Sequence, residues 1–240
     1  MYNFDFHLNT ASTLPFPELF GLIPWGHHLD IVRLTNTLPE AVFYIKKTIQ
    51  DGWKRVVLQR YLKAGLYDKQ GGAISNFEEQ LPMAQAELAQ EITKENYDFG
   101  FVELPPDYTE LNLEMALEQH ISRFLLELGS GFAFIGRQKE IIIDGVSRRI
   151  DMLFYHVRLH CYVVVELKAV RFEPEFAGKL NFYVNAVNDI LCGEHDNPTI
   201  GILICSDMKQ TEVRYSFKGL SPPIGVATYN NVQIANIERE

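Results

Sequence analysis

The chain has 240 residues, of which 47% are hydrophobic, and its formal net charge is −9 at pH 7. This length and composition predict a globular protein with one full core and a second, smaller one. No apolar stretch reaches the roughly 18 to 20 residues that cross a bilayer, and no basic leader opens the chain, so we expect a cytoplasmic protein that binds no membrane. The acidic balance also argues against tight nonspecific binding of nucleic acid by this chain alone, because that affinity comes mainly from Lys and Arg.

The N-terminal part is predicted to be mainly helical. Apolar residues recur at helical spacing over residues 39–67 and are interrupted by Asp51-Gly52, which indicates two successive helices, the second ended by Gly71-Gly72. Residues 81–95 are rich in Ala, Gln and Glu with few apolar positions, which favours an exposed helix or an ordered connector.

Two adjacent prolines, Pro105-Pro106, mark the best domain boundary, because proline lacks a backbone donor and restricts its neighbours. We therefore divide the chain into a mainly helical region, residues 1–103, and a second domain, residues 104–240. The helical region is a candidate DNA-binding or partner-binding domain.

The second domain begins with a helix that Thr109 can cap and that runs to about Leu128, where Gly129 and Gly131 end it. Asp144-Gly145 is a strong hairpin signal between the first two strands. The later elements are predicted at about 132–143 (strand), 149–157 (strand), 161–168 (strand), 175–191 (helix), 199–205 (strand), then a short helix and a strand near 224–228.

Charged residues occupy two of these apolar strands. Asp151 lies on the second strand, and Glu166 and Lys168 end the third. Side chains alternate along a strand, so Glu166 and Lys168 share one face, opposite to Val165 and Leu167. Charges on apolar strands are costly to bury without a partner, and a bound divalent cation would supply one.

The remaining reactive residues suggest no rival chemistry. Cys161, Cys192 and Cys205 stand singly in apolar segments and are expected to be reduced core residues. The histidines lack zinc-ligand spacing, and His156 and His160 are expected at the surface. No serine nucleophile elbow or phosphate-binding glycine loop occurs.

The order of elements, with a carboxylate on the helix, Asp on the second strand and Glu-x-Lys on the third, resembles the PD-(D/E)XK nuclease superfamily. Within it, the sequence is similar to the bacterial YhcG family, and the similarity covers essentially all of residues 110–230. It is carried by Gly131-Phe132-Ala133-Phe134-Ile135-Gly136-Arg137-Gln138, Ile150-Asp151-Met152-Leu153-Phe154-Tyr155-His156, Tyr162-Val163-Val164-Val165-Glu166-Leu167-Lys168 and Gly178-Lys179-Leu180-Asn181-Phe182-Tyr183.

The resemblance implies an α/β fold: a restriction-endonuclease-like αβββαβ core with a mixed sheet, preceded by a small, mainly helical N-terminal region. Residues 23–28 and 65–77 look like the end of that family's helical domain. Family members usually carry more helical sequence before this point, so we expect a shortened N-terminal domain.

The resemblance also implies the metal site. Asp151 and Glu166 would hold one or two Mg²⁺ ions, which Mn²⁺ can replace, and the backbone carbonyl of Leu167 would be a further ligand. Lys168 would position the attacking water or stabilise the transition state. Glu114 fits the helix carboxylate of the family; Glu118, one turn later, is the competitor.

Three further residues are candidate substrate contacts. Lys179 and Tyr183 lie one helical turn apart, where some related nucleases carry Gln-x-x-x-Tyr, and would contact a phosphate and stack or hydrogen-bond, respectively. The alternative is a solvent-exposed lysine and a core tyrosine. Gln138 either faces the same cleft or is a buried strand glutamine, and alternation places Arg137 on the opposite face.

The predicted function is Mg²⁺-dependent endonuclease activity, that is, hydrolysis of phosphodiester bonds in nucleic acid, with DNA as the expected substrate. The alternatives are a catalytically weak nuclease-fold module that binds nucleic acid or protein, and a subunit of a larger complex. A homodimer would allow both strands of a duplex to be cut.

Overall fold

The computed structural model describes residues 21–63, 65–69, 72–230 and 233–234. The helices are α1 (Trp25–Leu34), α2 (Leu38–Asp51), α3 (Arg55–Lys63), α4 (Leu66–Lys69), α5 (Phe77–Gln80), α6 (Met83–Ile92), α7 (Glu110–Gln119), α8 (Ile121–Leu128), α9 (Pro174–Ile190) and α10 (Gln210–Ser216). The strands are β1 (Ile74–Ser75), β2 (Asn96–Asp98), β3 (Glu103–Leu104), β4 (Phe132–Ile143), β5 (Val146–His156), β6 (Cys161–Leu167), β7 (Ile200–Cys205), β8 (Ile224–Asn230) and β9 (Gln233–Ile234).

The described residues form two compact units, which are divided between Tyr67 and Asp68. This division differs from the predicted boundary at residues 103 and 104. The reason is that β1 and β2 pair with β8, so the segment before the two prolines supplies edge strands to the large sheet. Strands of two or three residues are too short to show an alternating pattern in the sequence.

The first unit contains the predicted helical pair. Gly52 has φ 62° and ends α2 in the left-handed conformation, as the Asp51-Gly52 signal predicts. The next helix ends at Lys63, earlier than predicted; Gly71 lies outside the described residues. Asp30 accepts hydrogen bonds from Arg55 at 2.6 Å and from Gln59 at 2.9 Å. The apolar core of this unit is formed by Ile23, Ile31, Tyr44, Ile45, Leu58, Leu62 and Leu66.

The second unit is built on a mixed sheet in the order β1-β8-β7-β6-β5-β4, with β2 also paired to β8. Strands β4, β5 and β6 are antiparallel, whereas β6, β7 and β8 are parallel. The predicted restriction-endonuclease-like αβββαβ order is therefore confirmed. Among the helices of the described residues, none combines the length and the hydropathy needed to cross a membrane.

Helices cover both faces of this sheet. One core joins α6, α7 and α8 to the sheet residues Met152, Phe154, Val163, Val165 and Leu167. The other joins α9 and α10 to Leu153, Val164 and Leu203. The strand β6 is buried on both faces, which explains its nearly continuous apolar sequence.

Three local predictions need correction. Helix α6 contributes to the core and is neither an exposed helix nor only a connector, because its residues Ala86, Ala89 and Ile92 are buried in the core cluster. The predicted helix to Leu128 is divided at His120, which has φ −108° and ψ 32°. Of the three cysteines, Cys161 and Cys205 are buried, whereas Cys192 is only half-buried.

Candidate active site

Asp151 and Glu166 lie side by side on adjacent strands. The pairing of β5 with β6 runs to Met152 and Val165, and the same register places Asp151 opposite Glu166 just beyond that pair. Oδ2 of Asp151 accepts a hydrogen bond of 3.0 Å from the backbone N–H of Leu167. Asp151 is 6% exposed and Glu166 is 1% exposed. Two carboxylates therefore meet in a site almost closed to water.

Two lysines approach this carboxylate pair. Nζ of Lys179 lies 2.7 Å from Oε2 of Glu166 and 3.9 Å from Oδ1 of Asp151. Nζ of Lys168 lies 3.7 Å from Oε2 of Glu166. Lys179 reaches the site from α9, on the sheet face opposite to α7, and 43% of its side chain remains exposed. The site therefore brings two lysine side chains beside two carboxyl groups.

The backbone carbonyl of Leu167 is already a hydrogen-bond acceptor. It accepts a hydrogen bond of 3.0 Å from Nζ of Lys168, the next residue. The carbonyl oxygen that was expected to bind a metal ion therefore accepts a hydrogen bond from the Lys168 ammonium group instead. The Lys168 ammonium also lies 5.4 Å from the ring centroid of Phe176.

The two candidate carboxylates of α7 have different surroundings. Glu114 is 3% exposed, and its Oε2 accepts a hydrogen bond of 2.5 Å from Nε2 of Gln138. Glu118 has a side chain 42% exposed and pairs with Nε of Arg137 at 2.6 Å. Thr109 caps this helix as predicted, by accepting from the N–H of Asn112 at 3.3 Å. Glu114 is therefore the carboxylate that α7 buries toward the sheet.

Strict alternation predicts that Arg137 points away from the face of Gln138, but this prediction is wrong. Nη1 of Arg137 lies 3.8 Å from Oε2 of Glu114, so Arg137 and Gln138 reach the same carboxylate. Gln138 has φ 49°, and the register of β4 shifts between Phe134 and Gly136. These irregularities break the two-residue period of the strand. No signal in the sequence marked them, because Gln138 stands where glycine or asparagine is more common.

Burial and mutual repulsion alter the acidity of the carboxylates. Burial, and then the charge of Asp151, raise the pKa of Glu166 to about 7, although Lys179 opposes this shift. Burial, and then Asp151, also raise the pKa of Glu114 above its usual range, against the hydrogen bond from Gln138. The charge of Asp151 therefore disfavours ionisation of both other carboxylates.

Lys179 remains charged despite its partial burial. Burial alone would lower its pKa, but the charges of Glu166 and Asp151 outweigh that effect and raise the pKa above the ordinary lysine value. Its Nζ lies 5.4 Å from the ring centroid of Tyr183, which is 6% exposed and belongs to the core beneath α9. Lys179 thus faces the carboxylates. Tyr183 is a core residue, and its ring also contacts Lys179.

The donor set suits a hard divalent cation. Oε1 of Glu166 is buried and accepts no hydrogen bond from the described part of the chain. Within that same part, no three His, Cys, Asp or Glu side chains form a group that could enclose a metal ion. Mg²⁺ is commonly bound by one or two carboxylates and completed by water and substrate phosphate. The Asp151 and Glu166 pair fits that mode rather than an all-protein cage.

His156 is not at the surface, as the sequence suggested. It is fully buried, and its Nδ1 accepts a hydrogen bond of 3.1 Å from the N–H of Leu159. A Cβ at Gly131 would lie 2.7 Å from Nε2 of His156, so glycine leaves room for the ring. His156 therefore supports the turn between β5 and β6 and lies apart from the carboxylates.

A mixed sheet with a strand carboxylate pair followed by lysine defines a PD-(D/E)XK-type nuclease domain. The family model of the YhcG PDDEXK nuclease domain matches residues 90–239. The chain therefore belongs to this family, as its motifs predicted.

Known proteins resemble the chain over different extents. "Putative nuclease YhcG" of Escherichia coli (strain K12) is 32% identical over 223 residues, which are 92% of this chain and 58% of that protein. A repair endonuclease from Pyrococcus abyssi shares 20% identity over 53% of this chain and 49% of that chain, with a TM-score of 0.36. The apo form of EndoMS shares 17% identity over 53% of this chain and 47% of that chain, with a TM-score of 0.34.

Proposed function

We propose that this protein is a metal-dependent endonuclease that hydrolyses phosphodiester bonds in DNA. The observation that carries the proposal is the buried pair of Asp151 and Glu166, which lies beside Lys168 and Lys179. Burying two adjacent carboxylates is costly, and both the family and the donor chemistry supply the reason for it. Because the chain spans 58% of the length of its relative in E. coli, its own activity has to be measured.

Asp151 and Glu166 are the residues that would hold Mg²⁺. Glu114 and the Leu167 carbonyl, the further ligands that the resemblance implies, would reach the same ion only after rearrangement, because Glu114 accepts from Gln138 and the carbonyl accepts from Lys168. A bound divalent cation supplies positive charge for the phosphoryl transition state and lowers the pKa of a coordinated water. The unbonded Oε1 of Glu166 is the oxygen best prepared for such an ion.

The lysines act directly on the substrate in this proposal. Lys168 holds a positive charge inside the closed part of the site, where it can orient the attacking water or donate to a phosphate oxygen. Lys179 is partly exposed and meets the entering phosphate first. Its partner Glu166 becomes available to a cation when the Lys179 ammonium turns to that phosphate.

Gln138 and Arg137 hold the helix carboxylate in place. Gln138 donates to Glu114, and Arg137 bridges Glu114 and Glu118. In this role they are positioning residues. The exposed arginines Arg148 and Arg149 of the β4 to β5 hairpin offer cations to a phosphate backbone, which supports a nucleic-acid substrate, and DNA is the nucleic acid that we propose.

The alternative function is a nuclease-fold module with weak catalysis that binds nucleic acid or protein. Two observations favour it: lysine ammonium groups already neutralise the carboxylates, and the net charge of the chain is −9. We also propose that a homodimer or a larger complex supplies the second site needed to cut both strands of a duplex.

Cleavage assays separate these functions. The purified protein is incubated with plasmid, linear and branched DNA in Mg²⁺, in Mn²⁺ and in EDTA, beside Asp151→Ala and Lys168→Ala. The proposal requires metal-dependent cleavage by the wild type and its loss in both variants. Equal cleavage by all three proteins would show a contaminating nuclease, and binding without cleavage would favour the alternative.

The assembly is tested on the same samples by light scattering after gel filtration. A dimer that linearises plasmid supports the proposed pairing of sites. A monomer that produces only nicked circles would contradict it.

A further inference from the structure

An exposed aromatic ring stacks with an arginine beside the candidate active site. Cζ of Arg148 lies 5.2 Å from the ring centroid of Phe182. Phe182 is on α9 and is 39% exposed, and Arg148 is an exposed residue of β5. The pair thus presents an apolar ring and a guanidinium to solvent at one place.

A chain of contacts connects Phe182 and Arg148 to the carboxylates of the candidate active site. The ring centroid of Phe182 lies 5.8 Å from that of Tyr183, and Nζ of Lys179 lies 5.4 Å from the Tyr183 ring. The same Nζ is 2.7 Å from Glu166. Phe182 and Tyr183 follow Lys179 by three and four positions on one helix and so lie near it on the helix surface. A row of rings and cations therefore leads outward from the carboxylates.

The chemistry of this row matches a nucleotide. An aromatic ring stacks on a nucleobase, and an arginine beside it neutralises the phosphate or packs on the same ring. In a duplex, each base face is covered by its neighbours in the stack. A base inside a duplex offers no free face to Phe182, whereas an unpaired base does.

We propose that Phe182 and Arg148 bind an unpaired nucleotide adjacent to the bond that is cut, so that substrates with a single-stranded segment are preferred. This inference rests on the proposed nuclease function and specifies its substrate class. Phe182 stacks on the base, and Arg148 contacts the phosphate next to it.

The chain provides a matched control. At the end of α10, Nζ of Lys218 lies 4.7 Å from the ring centroid of Tyr215, which is 65% exposed. This is the same kind of aromatic and cation pair, but the lysines that pair with Asp151 and Glu166 in the described part of the chain are Lys168 and Lys179. Replacing Tyr215 therefore reports on exposed rings in general.

The test measures binding without cleavage. Fluorescence anisotropy in EDTA gives the Kd of the full chain for labelled oligothymidylate and for a labelled blunt-ended duplex without unpaired nucleotides. We compare wild type, Phe182→Leu, Arg148→Gln and Tyr215→Leu, after thermal unfolding has shown that the variants are folded. Phe182→Leu is expected to weaken single-strand binding about tenfold and to leave duplex binding unchanged.

Each outcome decides the inference. Arg148→Gln is expected to weaken single-strand binding and to reduce its salt dependence by about one counterion. Equal single-strand affinities of wild type and Phe182→Leu would overturn the inference, as would an equal loss in Tyr215→Leu. Cleavage in Mg²⁺ is measured separately, so an inactive protein would contradict the proposed function while the binding data still decide the role of Phe182.

Discussion

The ammonium of Lys179 lies 2.7 Å from Oε2 of Glu166 and thus joins α9 to the end of β6. Glu166 is 1% exposed, and its neighbour Asp151 carries a like charge. Lys179 therefore reduces the repulsion between two buried carboxylates while it keeps part of its own side chain in solvent. We therefore expect the stability of the protein to depend on pH and on divalent cations. We also expect the activity to depend on the position of α9, which carries Lys179.

Without metal, we expect Glu166 to make the stability of the protein fall as the pH rises. Its pKa is raised from 4.5 to about 7 in the folded state, so the folded protein binds its proton more tightly than the unfolded chain does. The favourable contribution is fully present below pH 4.5 and is lost as the pH rises through about 7. Its size is on the order of 3 kcal/mol.

Urea unfolding of wild type and Glu166→Gln in EDTA, from pH 4.5 to pH 8, measures this effect. The variant should gain stability relative to wild type as the pH rises, because glutamine does not ionise. A difference in the free energy of unfolding that is constant across this range would contradict the prediction.

Divalent metal should stabilise the protein through the carboxylate pair. At a free Mn²⁺ concentration of about 100 times Kd, the expected gain in the free energy of unfolding is about 2.7 kcal/mol. Thermal unfolding with and without Mn²⁺ measures it. Asp151→Asn should remove the gain, whereas Asp189→Asn, an exposed acid on α9, should retain it. A similar response of both variants would place the metal elsewhere.

Gln138 should stabilise the ionised form of Glu114. Gln138→Met preserves the size of the side chain but removes the donor, which leaves a buried carboxylate without this hydrogen bond. The expected cost at pH 8 is about 1–3 kcal/mol. A double-mutant cycle with Glu114→Gln isolates the interaction. If Gln138→Met lowers the free energy of unfolding equally in the wild-type and Glu114→Gln backgrounds, the loss is not caused by the hydrogen bond to Glu114.

Gly201 should control the position of α9. A Cβ at Gly201 would lie 2.7 Å from Cγ2 of Val184 and 2.9 Å from Cγ of Leu180, both on α9. Gly201→Ala is therefore expected to cost about 1–3 kcal/mol and to lower cleavage by moving Lys179. Gly178→Ala is the control on the same helix: its Cβ meets nothing within 4 Å, and alanine favours helix by about 0.8–1.0 kcal/mol. Loss of activity in Gly178→Ala but not in Gly201→Ala would contradict this account.

The sequence predicted the parts of the fold that local chemistry determines. Asp144 and Gly145 have φ 50° and 77° in the β4 to β5 turn, as the Asp-Gly signal indicates, and Thr109 caps α7. The core position of α6 and the edge strands β1 and β2 were missed, because they depend on the distant strand β8 and on small residues.

The candidate site was predictable in composition but not in contacts. Glu166 and Lys168 were expected on one face of the third strand because strand alternation places them there, and Asp151 was expected on the second strand. The contact of Lys179 with Glu166 depends on how α9 packs on the sheet, which helical periodicity does not determine. The contact of Arg137 with Glu114 depends on the positive φ of Gln138, an unusual conformation for that residue.

The most direct test of the central claim is a crystal of the full chain soaked in Mn²⁺, with diffraction data collected at a wavelength where manganese scatters anomalously. The account predicts an anomalous peak bonded to carboxylate oxygens of both Asp151 and Glu166, with the Lys179 ammonium displaced from Glu166. An occupied manganese site elsewhere, with the ion pair of Lys179 and Glu166 intact, would contradict it.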